Sequence, residues 1–385
     1  MATFLHIADL HLDREFSAPE EVLNHLQNAN FLVLERIVDE AIAREVDVVI
    51  FVGDTFHHAR SSVHTQAVFF KELSRLHENE IPVVLTFGNH DYYEENKFWY
   101  AFDENTHVIK SEEVETIRIE TRKGERIALS GFSYTSPFIE ESKVGEFPVR
   151  DFDASLHIGI YHGEKGNSGG YAPFSITEMK QKNYDYWALG HIHQSEVLSL
   201  DPLIVYSGTP QGHNKKESGN TSIVFGEQRE GRVFIEEIEV CVLRYQSLSV
   251  DLAEVESILE ARGKIENELK KENTVFSLTL KNTSHLGEEW KRSVETGEIT
   301  QYLKANYWLN QLTIKDVTHK QIPLKIKEDE FLAMLSESDI HYAMKDILPQ
   351  LPNELLKEVN EEFEAEISEE LRDEMTDLFL FDKEL

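Results

Sequence analysis

The chain has 385 residues, 41% hydrophobic and 28% charged, with a formal net charge of −33 at pH 7. That length exceeds one ordinary domain and predicts two or three. A lone cysteine, Cys241, excludes an intramolecular disulfide. No apolar run approaches the roughly 18 residues of a membrane helix, and no basic-then-apolar leader opens the sequence, so no membrane role and a reduced cytoplasmic location are expected.

Residues 1–240 predict alternating strands and helices. The runs Phe4-Leu5-His6-Ile7-Ala8, Val48 to Val52, Val83 to Phe87, Ile158 to Tyr161 and Tyr186 to Leu189 are continuously apolar or nearly so. Runs of that kind and length fit strands buried on both faces. Phe31, Leu34, Val38, Ala41 and Ile42 recur at helical spacing and predict a helix packed on the sheet. Glu120 to Glu125 and Gln228 to Arg232 carry turn residues and predict two hairpins. Residues 241–325 predict a capping domain of strand, helix, strand, helix, strand. In it Leu243 to Val250 is extended, Asp251 N-caps a helix running to about Lys271, and Thr274 to Leu280 is a strand. Residues 326–385 lose strand signals and predict an acidic helical segment broken at Pro349 and Pro352. Its stripe of Leu355, Leu356, Val359, Phe363, Ile367, Leu371, Met375, Leu378 and Phe379 either folds back on the cap or fills a partner's groove.

The chemistry lies in five short motifs, each after one of the apolar runs. They are Asp9-Leu10-His11, Gly53-Asp54, Gly88-Asn89-His90-Asp91, His162-Gly163 and Gly190-His191-Ile192-His193. Together they supply oxygen and imidazole donors for two divalent metals. Two cations about 3.5–4 Å apart neutralise a phosphodiester and lower the pKa of a bound water from 15.7 towards roughly 7. A bridging carboxylate must hold them that close, and Asp54 is the candidate. Asp9, His11 and His193 then complete one metal, and Asn89, His162 and His191 the other. Such a mixed donor set suits Mn²⁺, Zn²⁺ or Fe better than Ca²⁺, and a thiolate-rich structural zinc site is excluded. His90 is left over. Beside the ligand Asn89, its ring is expected to face substrate, stabilising the phosphoryl charge or protonating the leaving oxygen. Asp91 is a candidate to orient that ring. Gly163 to Gly170 is glycine-rich but lacks the Lys-Ser/Thr pair of a phosphate-binding P-loop. His213, Lys215 and Lys216 either bind phosphate or form a solvated loop.

These motifs resemble those of the calcineurin-like metallophosphoesterase superfamily, and within it the SbcD-type DNA-repair exonucleases of the YhaO-type subgroup. Gly53-Asp54-Thr55-Phe56-His57 is similar to that family's second motif. The resemblance implies that His57 contacts substrate near the scissile phosphate. Tyr206-Ser207-Gly208-Thr209-Pro210-Gln211 resembles the segment following the last histidine motif. Asp9-Leu10-His11-Leu12-Asp13 departs from the commoner form, in which glycine stands where Asp13 does. The resemblance covers roughly residues 1–240. It implies an α/β (α+β) fold, a four-layer metallophosphoesterase β-sandwich flanked by helices, with a small α/β cap. It further implies two Mn²⁺ ions, DNA as substrate, an SbcC-type coiled-coil ATPase docked on the C-terminal segment, and a homodimer through the nuclease domain.

The charge opposes part of that reading. Proteins that clamp DNA over a broad face carry basic patches. Here 19 acidic and 4 basic residues fall between Glu328 and Leu385 alone, and the rest is acidic too. In the expected cap, basic clusters stand at Lys264, Lys270-Lys271, Lys281 and Lys291-Arg292. Weak unaided DNA affinity is therefore expected, with a partner supplying much of the grip. A small-molecule phosphodiesterase or phosphoprotein phosphatase with the same centre fits the acidity better but leaves His57, cap and tail unexplained. A non-catalytic adaptor of an ATPase is disfavoured by the intact ligand set and His90.

Overall fold

The structure, a computed structural model, describes residues 1–14, 20–166, 169–218, 221–271, 273–303, 308–315, 322–324 and 379–381. The chain divides into two units, Met1–Leu280 with Leu286–Ile314, and Lys281–His285 with Lys315–Leu385.

The first unit opens with β1 (Thr3–Ile7), α1 (Glu20–Ala43), β2 (Val48–Val52), α2 (Val63–Glu78), β3 (Val83–Thr86) and β4 (Thr106–Val108). Next come β5 (Glu115–Glu120), β6 (Arg126–Gly131), β7 (Leu156–His162), α3 (Ile176–Gln181), β8 (Tyr186–Gly190), β9 (Glu196–Leu200), β10 (Leu203–Tyr206), β11 (Ser222–Arg229) and β12 (Arg232–Glu239). The strands form two mixed six-stranded sheets, ordered β12-β11-β1-β2-β3-β4 and β5-β6-β7-β8-β10-β9. β1 to β4 run parallel, as do β6, β7, β8 and β10. Antiparallel β11–β12 and β5–β6 are the two expected hairpins.

The apolar runs are continuous because each of these strands is covered on both faces. Val48, Ile50 and Val52 of β2 pack between the sheets with Ile158 and Ile160 of β7 and Ala188 of β8. Val49 and Phe51 point the other way, against Val33, Ile37 and Phe69 of α1 and α2. On the far face of the second sheet, Tyr161, Trp187 and Tyr206 pack with Met179 of α3. This alternation sorts the chain into four layers, helices, sheet, sheet, and helix with loops. Each fully buried aliphatic or aromatic side chain contributes roughly 1.5–3 kcal/mol relative to exposure.

The same unit continues through β13 (Arg244–Asp251), α4 (Ile258–Glu268), β14 (Thr274–Lys281), α5 (Glu288–Glu295) and β15 (Trp308–Lys315). The three strands form one sheet, β13-β14-β15. Val250, Ile265, Phe276, Leu278, Trp290 and Val294 enclose its separate core. The α4 cap differs from expectation. Ser257, not Asp251, accepts from the Glu260 amide at 3.2 Å, and the helix begins at Ile258. The Asp251 carboxylate instead accepts from the Ala253 amide at 2.9 Å, a local turn that competes with helix formation.

In the second unit, β16 (Ile322–Leu324) pairs in parallel with β17 (Phe379–Phe381), Ile322 opposite Phe379. Phe379 is therefore extended rather than the end of a helical stripe. The stripe from Leu355 to Leu378 lies outside the described residues.

Candidate metal centre

Five loops leave the carboxyl ends of β1, β2, β3, β7 and β8 and meet between the two sheets. The first sheet carries Asp9, His11, Asp54 and Asn89; the second carries His162, His191 and His193. Backbone bonds lace the first two loops together, from the Asp9 amide to Gly53 O (3.3 Å) and from the His11 amide to Asp54 O (3.0 Å). Asp9, His11, Asp54 and His191 all adopt positive φ, 52°, 45°, 51° and 101°. Such backbone costs of order 1–3 kcal/mol at a non-glycine residue and persists where surrounding structure enforces it.

The donors converge. His11 Nε2 lies 3.2 Å from His193 Nε2, and a ring nitrogen of each lies within 4.8 Å of an Asp9 carboxylate oxygen. The Asp54 carboxylate stands 3.4 Å from His162 Nε2 and 3.9 Å from His11 Nε2, between the two histidine groups. Asn89 Oδ1 is 3.1 Å from His162 Nε2 and 3.2 Å from His191 Nδ1. His162 donates its Nδ1 proton to Val52 O at 2.8 Å, which leaves Nε2 as the nitrogen facing Asp54 and Asn89. Inward imidazole nitrogens beside carboxylate and carboxamide oxygens fit first-row divalent cations.

Three motif glycines wall this centre. A Cβ at Gly53 would stand 2.5 Å from His162 Nδ1, one at Gly190 2.8 Å from the same atom, and one at Gly88 2.2 Å from Asp54 Oδ1 and 2.6 Å from His162 Nε2. The glycines flank the histidine and aspartate because no side chain fits between backbone and imidazole.

The model of the calcineurin-like phosphoesterase family matches residues 2–195. The chain belongs to that family. It is 30% identical over 317 residues to the uncharacterized metallophosphoesterase YhaO of Bacillus subtilis, covering 79% of this chain and 76% of that one. It is 24% identical to the DNA double-strand break repair protein Mre11 of Methanopyrus kandleri, over 76% of this chain and 68% of that one. Against a subunit of the nuclease SbcCD of Staphylococcus epidermidis the identity is 21%, over 73% of this chain and 79% of that one. Calcineurin-like phosphoesterases use a binuclear metal centre. No described helix is long and apolar enough to cross a membrane.

Burial sets the electrostatics of the phosphoesterase centre. It pushes the Asp9 carboxyl up to about 6, against the pull of His162 and His193. Burial also works to raise Asp54, but the charge and hydrogen bond of His162 outweigh it and hold Asp54 well below the usual carboxylate range. The same pair carries His162 up to about 9 although burial alone would lower it. His191 falls to about 3 through burial and then the charge of His162. Asp54 thus compensates a charged His162, the Glu217 hydrogen bond raises His193 against its burial, and burial leaves His11 and His191 neutral; a bound cation would release the His162 proton.

At the mouth of the centre His90 is exposed, its ring stacked on His57 at 4.9 Å and edge-on to His11 at 5.0 Å. His57 Nδ1 is 3.1 Å from His11 Nδ1. Burial and then the neighbouring His90 lower His57 to about 3, so it is neutral at pH 7. Asp13 accepts from the His57 amide at 2.7 Å, a contact that glycine at that position would not make.

Asp91 does not orient His90. Its Oδ1 accepts from the Asp54 and Gly88 amides (3.1 and 2.7 Å) and its Oδ2 from the Thr55 and Phe56 amides (2.9 and 3.2 Å). The carboxylate is fully buried and knits the second and third loops together. Lys97, also buried, donates to Asp91 O and Tyr92 O at 2.6 and 2.9 Å and lies over the Phe87 ring. His213 is not in a solvated loop; it is buried beside Glu217, a residue that no sequence motif singles out. Glu217 Oε1 is 2.9 Å from His193 Nδ1. The four-residue spacing of His213 and Glu217 after Ser207-Gly208-Thr209-Pro210 was the available signal. The cap lysines bond locally, Lys264 to Asp251 O, Lys270 to Asn267 and Lys271 to Gln246.

Proposed function

We propose that this phosphoesterase is a DNA exonuclease of repair that hydrolyses phosphodiester bonds, working in the cytoplasm with an SbcC-type ATPase. The observation that carries the reading is the convergence of Asp9, His11, Asp54, Asn89, His162, His191 and His193 behind an exposed His90 stacked on a half-buried His57. Those seven residues would hold two divalent cations, Mn²⁺ in preference to Zn²⁺ or Fe, with Asp54 between them. When bound, the cations supply phosphate neutralisation and an activated water. The chain's own residues do the rest. Buried Asp91 holds the second and third loops in register. His57 is neutral and serves as a hydrogen-bonding contact to the phosphate. That leaves exposed His90 to give a proton to the departing oxygen. The relatives named as a double-strand break repair protein and as a subunit of a nuclease support DNA among phosphodiesters and a partner subunit; that this partner is an ATPase rests on the resemblance to the SbcD type.

The net charge of −33 favours a second reading, a small-molecule phosphodiesterase or phosphoprotein phosphatase. Cleavage of end-labelled double-stranded DNA with Mn²⁺, beside bis-p-nitrophenyl phosphate, separates the two. Stepwise shortening of DNA by the purified chain, lost in His90→Ala, is the expected result. Hydrolysis of the small diester alone, unchanged when an SbcC-type ATPase is added, would refute the nuclease reading.

A further inference from the structure

We infer that Glu217 is a positioning residue that fixes His193 for metal binding, with His213 and Asn30 as its buttress. Glu217 Oε1 accepts from His193 Nδ1 (2.9 Å) and from Asn214 Nδ2 (3.0 Å). Its Oε2 accepts from the His213 amide (2.7 Å) and lies 3.1 Å from His213 Nδ1. On the other side of its ring, His213 Nε2 is 3.2 Å from Asn30 Nδ2, which also donates to His11 O at 2.7 Å. The chain of contacts thus runs from the backbone of one donor, His11, through Asn30, His213 and Glu217 to the ring of a second donor, His193. With Nδ1 committed as a proton donor to the carboxylate, a neutral His193 carries its lone pair on Nε2, the nitrogen 3.2 Å from His11 Nε2. Carboxylates behind metal-binding imidazoles fix the tautomer and ring angle in this way. Glu217 lies beyond residues 2–195, the stretch that the phosphoesterase family model matches.

Two other readings are weaker. A surface ion pair contributes little and needs no second imidazole, yet His213 is buried. A third cation held by His193, His213 and Glu217 would have to displace the four hydrogen bonds that already fill both carboxylate oxygens.

The inference rests on reading Asp9, His11 and His193 as half of the metal centre. The full chain, stripped with EDTA, is titrated with Mn²⁺ by calorimetry, and diester hydrolysis is followed against Mn²⁺ concentration. Wild type is expected to take up two ions. Glu217→Ala should weaken one of them about 10–100-fold and leave the other unchanged. Its kcat should recover at high Mn²⁺ with an unaltered KM for the diester. Glu217→Gln keeps an acceptor for His193 Nδ1 and should lose less; should the alanine variant melt below the assay temperature, glutamine carries the same test. Wild-type affinity at both sites in a folded Glu217→Ala, or equal weakening at both, would overturn the inference while leaving the centre intact. A wild-type chain that takes up no Mn²⁺ would overturn the metal-centre reading and this inference with it.

Discussion

Gly88→Ala tests whether the centre is as tightly built as the distances imply. The added methyl would stand 2.2 Å from Asp54 Oδ1 and 2.6 Å from His162 Nε2. Ordinary contact begins at 3.4 Å, so the aspartate oxygen must retreat by about 1.2 Å. Neither neighbour retreats freely. Asp54 Oδ1 accepts from the His90 amide at 3.0 Å, and the His162 ring is held through Nδ1 at Val52 O. Overpacking of this kind costs about 1–3 kcal/mol of stability, which the fold should survive. Misplacement of a reacting group by about 1 Å costs on the order of 100-fold in rate. Hydrolysis of bis-p-nitrophenyl phosphate should therefore fall about 100-fold at saturating Mn²⁺, with a melting temperature only a few degrees lower. Retention of more than about a third of wild-type kcat, against that 100-fold expectation, would show that the space between Asp54 and His162 is looser than described.

Asp91→Ala should behave as a structural lesion. It leaves four buried amides without an acceptor and should cost at least about 3 kcal/mol in urea denaturation, whereas His90→Ala should cost almost nothing there; equal stability of the two variants would return Asp91 to a catalytic role. His6, fully buried between the Tyr186 hydroxyl and Leu189 O at 3.0 Å each, is held by burial at about 3 against an ordinary value of 6.5. The unfolded chain therefore binds more protons below pH 6.5, and the fold loses stability as pH falls from 6.5 towards 3. At pH 5 the loss is about 2 kcal/mol. His6→Gln should shrink the difference in unfolding free energy between pH 7.5 and 5 by that amount; an unchanged difference would place the acid sensitivity elsewhere. Mn²⁺ at a hundred times its Kd should raise the stability of the folded chain by about 2.7 kcal/mol for each site filled, read as a melting shift that EDTA reverses. A melting curve indifferent to both would argue against metal uptake by the folded chain.

Much of the fold is legible because it is local. Val48 to Val52 reads as a doubly buried strand from five consecutive residues, and that is how it sits between α1, α2 and the second sheet. Turn residues likewise mark the β5–β6 and β11–β12 hairpins. What the sequence conceals is partnership across distance. Asp91 looks like a helper of His90 because the two are adjacent, yet adjacent side chains on an irregular loop point apart. Its actual partners, Thr55 and Phe56, lie more than thirty residues earlier. Glu217 is one of 71 acidic residues, and its spacing from His213 means little until β10 and the following loop carry it back to His193. Asp251 and Ser257 both look like helix caps, and the choice between them is made by where the chain turns, not by either residue.

The division of the ligands between the two sheets also bears on how the protein comes into being. Asp9, His11, Asp54 and Asn89 leave a ribosome before His162, His191 and His193, on β1, β2 and β3, which pair with one another in the folded protein. They cannot form a full cation cage until β7 and β8 have been made, more than seventy residues later, and His193 lacks its brace until Glu217 follows. A nascent or prematurely terminated chain therefore carries carboxylates and histidines but no complete metal centre. Hydrolysis of phosphate esters is withheld until nearly all of the sandwich has been synthesised.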